Sequence, residues 1–385
     1  MIFAMVLLVA ASCKKPEDPV VRDIEVGSLT VSAAGTWARA SVEATLPGKL
    51  SARLYVSRSA DMTGATTWTA EKTITADAPY NFSFDVTGLE KHTDYWCYAE
   101  VYNLYYTPVQ SDTVKFTTKD PPEGAIDGLF TINSIGDQVY FSQGNLQYQA
   151  STNTWRFATN QWDYVGEDNA NISSSYSGWI DLFGWGTSGY SHGATCYQPW
   201  STSQNYSDYY AYGSDTYNLY DQTGQADWGY NAISNGGNTQ HLWRTLTKDE
   251  WAYIFDKRST PSGIRYAKAT VNGVSGVILV PDGWSASTYS LSNTNNDEAY
   301  FSSNTMSQSV WTSTLEPAGC VFLPAAGYRN GTSVFDVGIY GSYWSASCYG
   351  SSGAYSVYFY DGSLSPASSN FRRNGYCVRL VAGCE

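Results

Sequence analysis

Short runs in which apolar and polar residues alternate one for one recur along the first third of this chain. In residues 51–56, Ala52, Leu54 and Val56 fall on one face and Ser51, Arg53 and Tyr55 on the other. In residues 95–101 the apolar face is Tyr95, Cys97, Ala99 and Val101, and in 112–116 it is Val114 and Phe116. A period of two puts successive side chains on opposite faces of a strand. With turn residues at short spacing between the runs, residues 24–118 are predicted to form an antiparallel β-sandwich. Residues 128–382 carry most of the Trp and Tyr and read as strands joined by long polar loops. One strong helix is predicted there. Thr247 is placed as N-cap with Glu250 three positions on, a capping box, and Leu246 and Trp251 form a hydrophobic staple. Trp251, Ile254 and Phe255 then make one buried stripe. Residues 186–237 are rich in Tyr, Asn and Asp, contain no Lys or Arg, and read as loop.

The chain opens on a ten-residue apolar run, Ile2 to Ala11, followed by Ser12 and Cys13. Ten apolar residues are too short for a bilayer span, which needs roughly 18, but fit the core of a signal peptide. Small residues just before a Cys resemble the lipobox of bacterial lipoproteins, although no Lys or Arg precedes Cys13. That resemblance implies that residues 1–13 are a signal peptide with its lipobox and that Cys13 becomes the lipidated N-terminus. Residues 14–23, with two prolines, read as a tether. Contact with a membrane is then expected through the lipid alone.

Charged residues are 15% of the 385-residue chain and aromatics 16%, far from a disordered composition. The net charge of −13 argues against a nucleic-acid partner, which would need a basic patch. Six cysteines follow Cys13 without a CxxC pair, so metal and redox motifs are not supported, and the disulfide pairing is left open.

Two resemblances refine the domain picture. Leu89, Thr93 and Tyr95, with the closing Phe116-Thr-Thr, are similar to the corner of fibronectin type III domains. That assigns 24–118 to such a domain, a spacer in role, and leaves 119–127, with Pro121 and Pro122, as the linker. Residues 243–253, WRTLTKDEWAY, resemble a segment of the C-type-lectin-like domains of formylglycine-generating type. Residues 323–329, 341–347 and 374–380 resemble the "major paralogous domain" of bacterial lipoproteins. They also resemble variable proteins diversified by retroelements. The implied fold is mostly β with minor α: a fibronectin type III-like β-sandwich, then a large α+β C-type-lectin-like domain over 128–382 with long loops.

From Cys320 to Leu380 there is no Lys, Glu, Gln or Met, while seven tyrosines lie between Tyr340 and Tyr376. Tyr supplies amphipathic contact area with few rotatable bonds, and Ser, Gly and Asn supply adaptable hydrogen bonding, a palette suited to a binding surface. The same absences suit diversification at Asn-type codons, and equally a fixed Ser/Tyr/Gly-rich sheet. In residues 355–361 alternation assigns Val357 and Phe359 to the core, and Ser356, Tyr358 and Tyr360, with the adjoining Asp361, to the ligand face. Tyr340, Tyr343, Tyr349 and Tyr376 are added to that face. So is the run Asn370, Phe371, Arg372, Arg373 and Asn374, because Arg and aromatics together typify binding hot spots. A solvated turn is the plain alternative for the arginine pair. Trp344 is expected to be framework, and Val378 and Leu380 a closing core strand with Arg379 on its other face.

Chemistry is not indicated. The three histidines have no metal-ligand spacing, and no nucleophile elbow or phosphate loop occurs. No cofactor is expected. Residues 293–298, NTNNDE, offer oxygen ligands for Ca²⁺ but lack EF-hand spacing, so a plain polar loop is favoured. The favoured reading is a non-enzymatic, lipid-anchored protein of the outer membrane, displayed on the cell surface. It would act as a lectin-like receptor or adhesin for an extracellular protein or glycan, its oligomeric state open. One alternative is a degenerate enzyme of the formylglycine-generating type, which expects Cys348 and Cys377 to meet beside a cleft. Another is a structural surface or pilus-like subunit.

Overall fold

The computed structural model describes residues 24–384 apart from 34, 36, 46–47, 75–78, 91 and 105–106. The apolar start, Cys13 and the 14–23 tether therefore lie outside the described residues. The chain is mostly β, with few and short helices. It divides into two compact units.

Among the described residues, the first unit comprises 24–31 and those within 40–84 and 95–115. Strand Gly48–Ser57 pairs antiparallel with Thr66–Ile74 on one side and with Asp94–Tyr102 on the other. The register sets Leu54 opposite Ala99 and Val56 opposite Cys97. Ala52, Leu54, Val56, Cys97, Ala99 and Val101 are all buried, so the apolar face read from the alternation is the core face. A three-stranded sheet of Glu25–Ala33, Trp37–Thr45 and Tyr80–Thr87 buries Val42, Phe82 and Phe84. Full burial of each such large apolar side chain stabilises by about 1.5–3 kcal/mol.

The second unit holds residues 32–39, 85–94 and 116 onward. Its strand Ala125–Thr131 begins inside the segment expected to be linker. Gln138–Ser142 pairs with that strand on one side and with Leu380–Gly383, the last strand, on the other, and Arg244–Thr245 closes the order. A second sheet runs Thr305–Met306, Tyr266–Val271, Val274–Leu279, Val321–Pro324, with only its first pair parallel. A third is an antiparallel meander of Gly341–Tyr349, Gly353–Tyr360 and Ser363–Phe371.

The capped helix forms as its sequence requires. Thr247 accepts from the Glu250 N–H, and the Glu250 carboxylate accepts from the Thr247 N–H at 2.8 Å. That carboxylate also takes both guanidinium nitrogens of Arg244 at 2.8 Å. Leu246, Trp251, Ile254 and Phe255 are buried together with Phe141, Val357 and Phe359. The α-helical turn covers Lys248–Ala252 and widens into a π-turn over Tyr253–Lys257. A second helix of the same build was not predicted. Ser307 caps Gln308–Val310, which runs into a π-turn at Trp311–Leu315. Its Ser and Thr residues are weak helix formers and it has no acidic residue at the third position, so the local signal is faint.

Two segments differ from their polar appearance. Residues 186–237 contain only short 3₁₀ turns, yet they bury Tyr209, Leu219, Trp228 and Ile233 and form part of a core. Arg379 is as buried as its neighbours Val378 and Leu380. Its guanidinium donates to Gln161 Oε1 at 2.9 Å and to the Phe322 carbonyl at 3.4 Å.

Asp181 is also fully buried. Its carboxylate accepts from the Val165 N–H at 2.7 Å and from Asn169 Nδ2 at 2.8 Å. Burial raises its pKa from 3.8 to about 6, against the opposing pull of those donors. The folded state therefore holds this proton more tightly than the unfolded chain, and the group's cost is absent below about pH 4. That cost grows as pH rises and levels off above the folded value, at about 3 kcal/mol. Asp181→Asn is expected to remove this loss of stability between pH 4 and 6, whatever its uniform cost. Urea melts at pH 4, 5, 6 and 7 would check it, and an unchanged slope in the variant would assign the pH dependence to another group.

Candidate functional site

The meander fixes the position of the tyrosine-rich face. On the middle strand, Val357 and Phe359 are fully buried, and Tyr358 and Tyr360 lie on the opposite side, half-buried. The register sets Tyr358 against Ser342 on the first strand and Ser365 on the third. A bulge between Ser356 and Tyr358 shifts the third strand's pairing. Beside the meander, strand Tyr328–Asn330 pairs with Asn374-Gly375, with Arg329 opposite Gly375 and Asn330 opposite Asn374. Tyr340 arrives on a turn whose Asp336 carbonyl accepts from the N–H groups of Ile339 and Tyr340.

These elements enclose a cavity of about 450 Å³. Tyr340, Tyr358, Asn370, Asn374 and Tyr376 line it, all expected from the sequence. Tyr360 packs against Tyr340 at 5.0 Å. The rings of Tyr340 and Tyr358 stack at 5.4 Å and 15°. Tyr376 packs at 4.4 Å on Trp344, the fully buried framework residue, and stands at 85° to Tyr328. Asn374 Nδ2 donates to the Tyr376 hydroxyl at 3.1 Å. Burial raises the hydroxyl pKa of Tyr358 and Tyr376, and the Tyr340 hydrogen bond adds to it at Tyr358. Tyr328 is raised by burial and then by the charge of Asp336.

Other expected residues lie outside the cleft. Tyr343 is fully buried in the core and donates to the Pro324 carbonyl at 2.9 Å. Ser356 is fully buried, and its hydroxyl accepts from Asn370 Nδ2 at 3.3 Å, so it supports the cleft from behind. Arg372 corrects the surface expectation most clearly. It is completely buried and donates to the carbonyls of Gly353, Asp215 and Gly350 at 2.8–3.0 Å. Its guanidinium lies over the rings of Trp185 and Tyr210. The polar neighbours in sequence gave no sign of this, because the covering loop comes from around residue 215. Asp361 is exposed but accepts from the Phe301 N–H. Phe371 and Arg373 form a separate patch: Phe371 stacks on Tyr206 at 6.4 Å, and Arg373 lies over Phe371 and donates to the Gln204 carbonyl. Tyr349 is exposed and meets Tyr355 edge to face.

Sequence reading missed Tyr328, Asp336, Ser342 and Ser368, which complete the lining. Tyr328 was inside a recognised motif, whereas nothing local marks Asp336. It also missed Lys268. This buried ammonium donates to four backbone carbonyls: Asp297 at 2.7 Å, Ala299 at 3.0 Å, Tyr360 at 2.6 Å and Ser363 at 2.8 Å. It ties the Tyr360–Ser363 turn of the meander to the 297–299 loop. The overlapping residues 293–298 are the weak calcium candidate. Two of its side-chain oxygens accept from protein groups: Asn295 Oδ1 from the Arg265 N–H, Asp297 from the Tyr266 hydroxyl. Among the described residues no cluster of three His, Cys, Asp or Glu is placed to hold a metal ion.

The two cysteines of the enzyme alternative do not meet. Cys377 is fully buried opposite Tyr343, and Cys348 lies five residues further along the same strand, roughly 15 Å away at strand rise. Burial pushes both thiols up, the reverse of what a reactive thiolate needs. Neither lines the cleft.

Residues 296–381, which carry most of the cleft, match a family described as a domain of unknown function (DUF8237). No curated protein matches the chain. Among solved structures, the sensor domain of the anti-sigma factor RsgI4 of Pseudobacteroides cellulosolvens is 20% identical at a TM-score of 0.21. The match covers 26% of this chain and 98% of that one. Catalytically inactive OgpA from Akkermansia muciniphila, solved with an O-glycopeptide substrate, is 14% identical at 0.21, over 25% and 28% of the two chains. At such TM-scores neither likeness bears on this chain's fold or function.

Replacing Lys268 by Met keeps the volume and removes a donor shared by four carbonyls: three part-buried ones, and that of Ala299, which is buried and keeps the Gly362 N–H at 3.0 Å. A loss of about 1–3 kcal/mol is expected, as for acceptors deprived of a donor. Chemical denaturation of the two proteins would measure it, and a loss below 1 kcal/mol would show that water replaces the ammonium.

Proposed function

We propose that this chain is a lipid-anchored binding protein of the bacterial outer membrane, displayed at the cell surface as a lectin-like receptor or adhesin. Its ligand site is the tyrosine cleft. The fibronectin type III-like part acts as a spacer, and the C-type-lectin-like part presents the site. The observation that carries this reading is the convergence of Tyr340, Tyr358, Tyr376, Asn370 and Asn374 on one open cavity. Aromatic rings of this kind suit protein side chains and sugar faces alike. The cleft holds no thiol and no histidine, which favours recognition over the cysteine chemistry of formylglycine-generating enzymes. Anchoring rests on the lipobox-like start, with Cys13 as the acylated residue. No helix among the described residues is long and apolar enough to cross a membrane.

Two measurements test the proposal. Full-length protein on arrays of glycans and extracellular proteins should retain a ligand. The double variant Tyr358→Ala, Tyr360→Ala should lose about 1–3 kcal/mol of that binding while its thermal melt stays close to the parent's. Undiminished binding would move the site elsewhere, and an unfolded variant would make these tyrosines core. Anchoring is read by labelling cells with a palmitate analogue: label should follow the wild type and vanish in Cys13→Ser. A wild-type protein without label would remove the anchor.

A further inference from the structure

We infer that the tyrosine cleft takes an organic ammonium group, either a choline-type head or a lysine side chain. This rests on the reading of the cleft as the ligand site and names the chemistry it selects. A ring face carries negative quadrupole charge and attracts an ammonium ion, and several rings around one space form the usual cage for such ligands. Four tyrosines line this cavity. Tyr328 and Tyr376 stand at 85° with centroids 6.4 Å apart, so they form two walls of a corner. Tyr376 is held by Trp344 behind it, and Tyr358 by its stack on Tyr340. The walls are therefore set before a ligand arrives.

The charges in the cleft point the same way. Asp336 lines the cavity, and its side chain has no hydrogen bond or ion pair among the described residues. It sits at a left-handed φ of 56°, on the turn whose carbonyl receives the Tyr340 N–H, so one turn delivers the carboxylate and a ring to the same space. Among the described residues no Lys, Arg or His lines the cavity to neutralise it or to receive an anion. The remaining polar groups are partly engaged inside the protein. Asn374 donates to the Tyr376 hydroxyl and Asn370 to Ser356. A sugar would have to compete for those amides, whereas an ammonium meets a carboxylate and tyrosine rings that their own neighbours, Trp344, Phe335 and one another, hold in place. The surrounding chain, at a net −13, also favours a cationic ligand.

The test is a calorimetric titration of the full chain with three probes. These are choline, Nα-acetyl-lysine methylamide, and 3,3-dimethylbutan-1-ol, which has choline's shape without its charge. At least one ammonium probe is expected to bind saturably and at least ten-fold tighter than the alcohol, and the tighter of the two identifies the source. Asp336→Asn should weaken it several-fold, Tyr358→Ala should abolish it, and Tyr358→Phe, which keeps the ring, should retain it. Saturable binding by neither ammonium, or equal binding of the alcohol, overturns the inference. If an array ligand is nevertheless lost in the tyrosine double variant, the cleft remains the ligand site and only its ammonium chemistry falls. Ammonium binding that survives both Tyr358→Ala and Asp336→Asn lies outside the cleft and overturns the inference.

Discussion

A buried backbone carbonyl must find a donor, and in the second unit many carbonyls lie outside any ladder. Cations supply the donors. Lys268 serves four carbonyls, Arg372 three, and Arg329 another three, those of Leu182, Gly331 and Ser201. Arg258 serves two, from Arg265 and Val280, and pairs with the buried Asp282 at 3.0 Å. Desolvating a charge is costly, so each of these sites is stable only because several acceptors converge on it. Long irregular segments can then pack against short sheets with these carbonyls satisfied, although nitrogens of such cations, Arg258 Nε, Arg372 Nη1 and Arg379 Nε, are buried without a hydrogen-bond partner among the described residues.

The same requirement separates what could be read in the sequence from what could not. Alternation located the strands and their buried faces, because a strand's face is decided by its own residues. The capping box at Thr247 and Glu250 is equally local. Arg372 was read as a surface hot spot because its partners are 157 residues away at Asp215 and 19 away at Gly353. No window of sequence contains those carbonyls. Lys268 escaped notice for the same reason, since its acceptors come from two separate loops.

The cleft was legible in part. Tyr358 and Tyr360 followed from alternation with the buried Val357 and Phe359, and composition drew attention to Tyr340 and Tyr376. Tyr343 shows where composition misleads: it belongs to the same tyrosine-rich run yet is sealed in the core. Tyr328 and Asp336 enter through the pairing of Tyr328–Asn330 with Asn374-Gly375 and through a turn, which only the assembled strands reveal. The thiols teach a similar lesson, since proximity in the C-terminal region did not place Cys348 beside Cys377.

The meander has a further consequence. Its backbone pairing is complete without the side chains of Tyr358, Ser368 and Asn370. The hydrophobic seal lies on the other side, at Val357, Phe359 and Leu364. Inheritance can therefore act on the two sides separately. Substitutions on the open side spare the framework and, if the cleft is the ligand site as proposed, would alter what it recognises, whereas substitutions on the closed side are felt by the whole domain. A lineage of such chains could keep one scaffold while the open face drifts residue by residue.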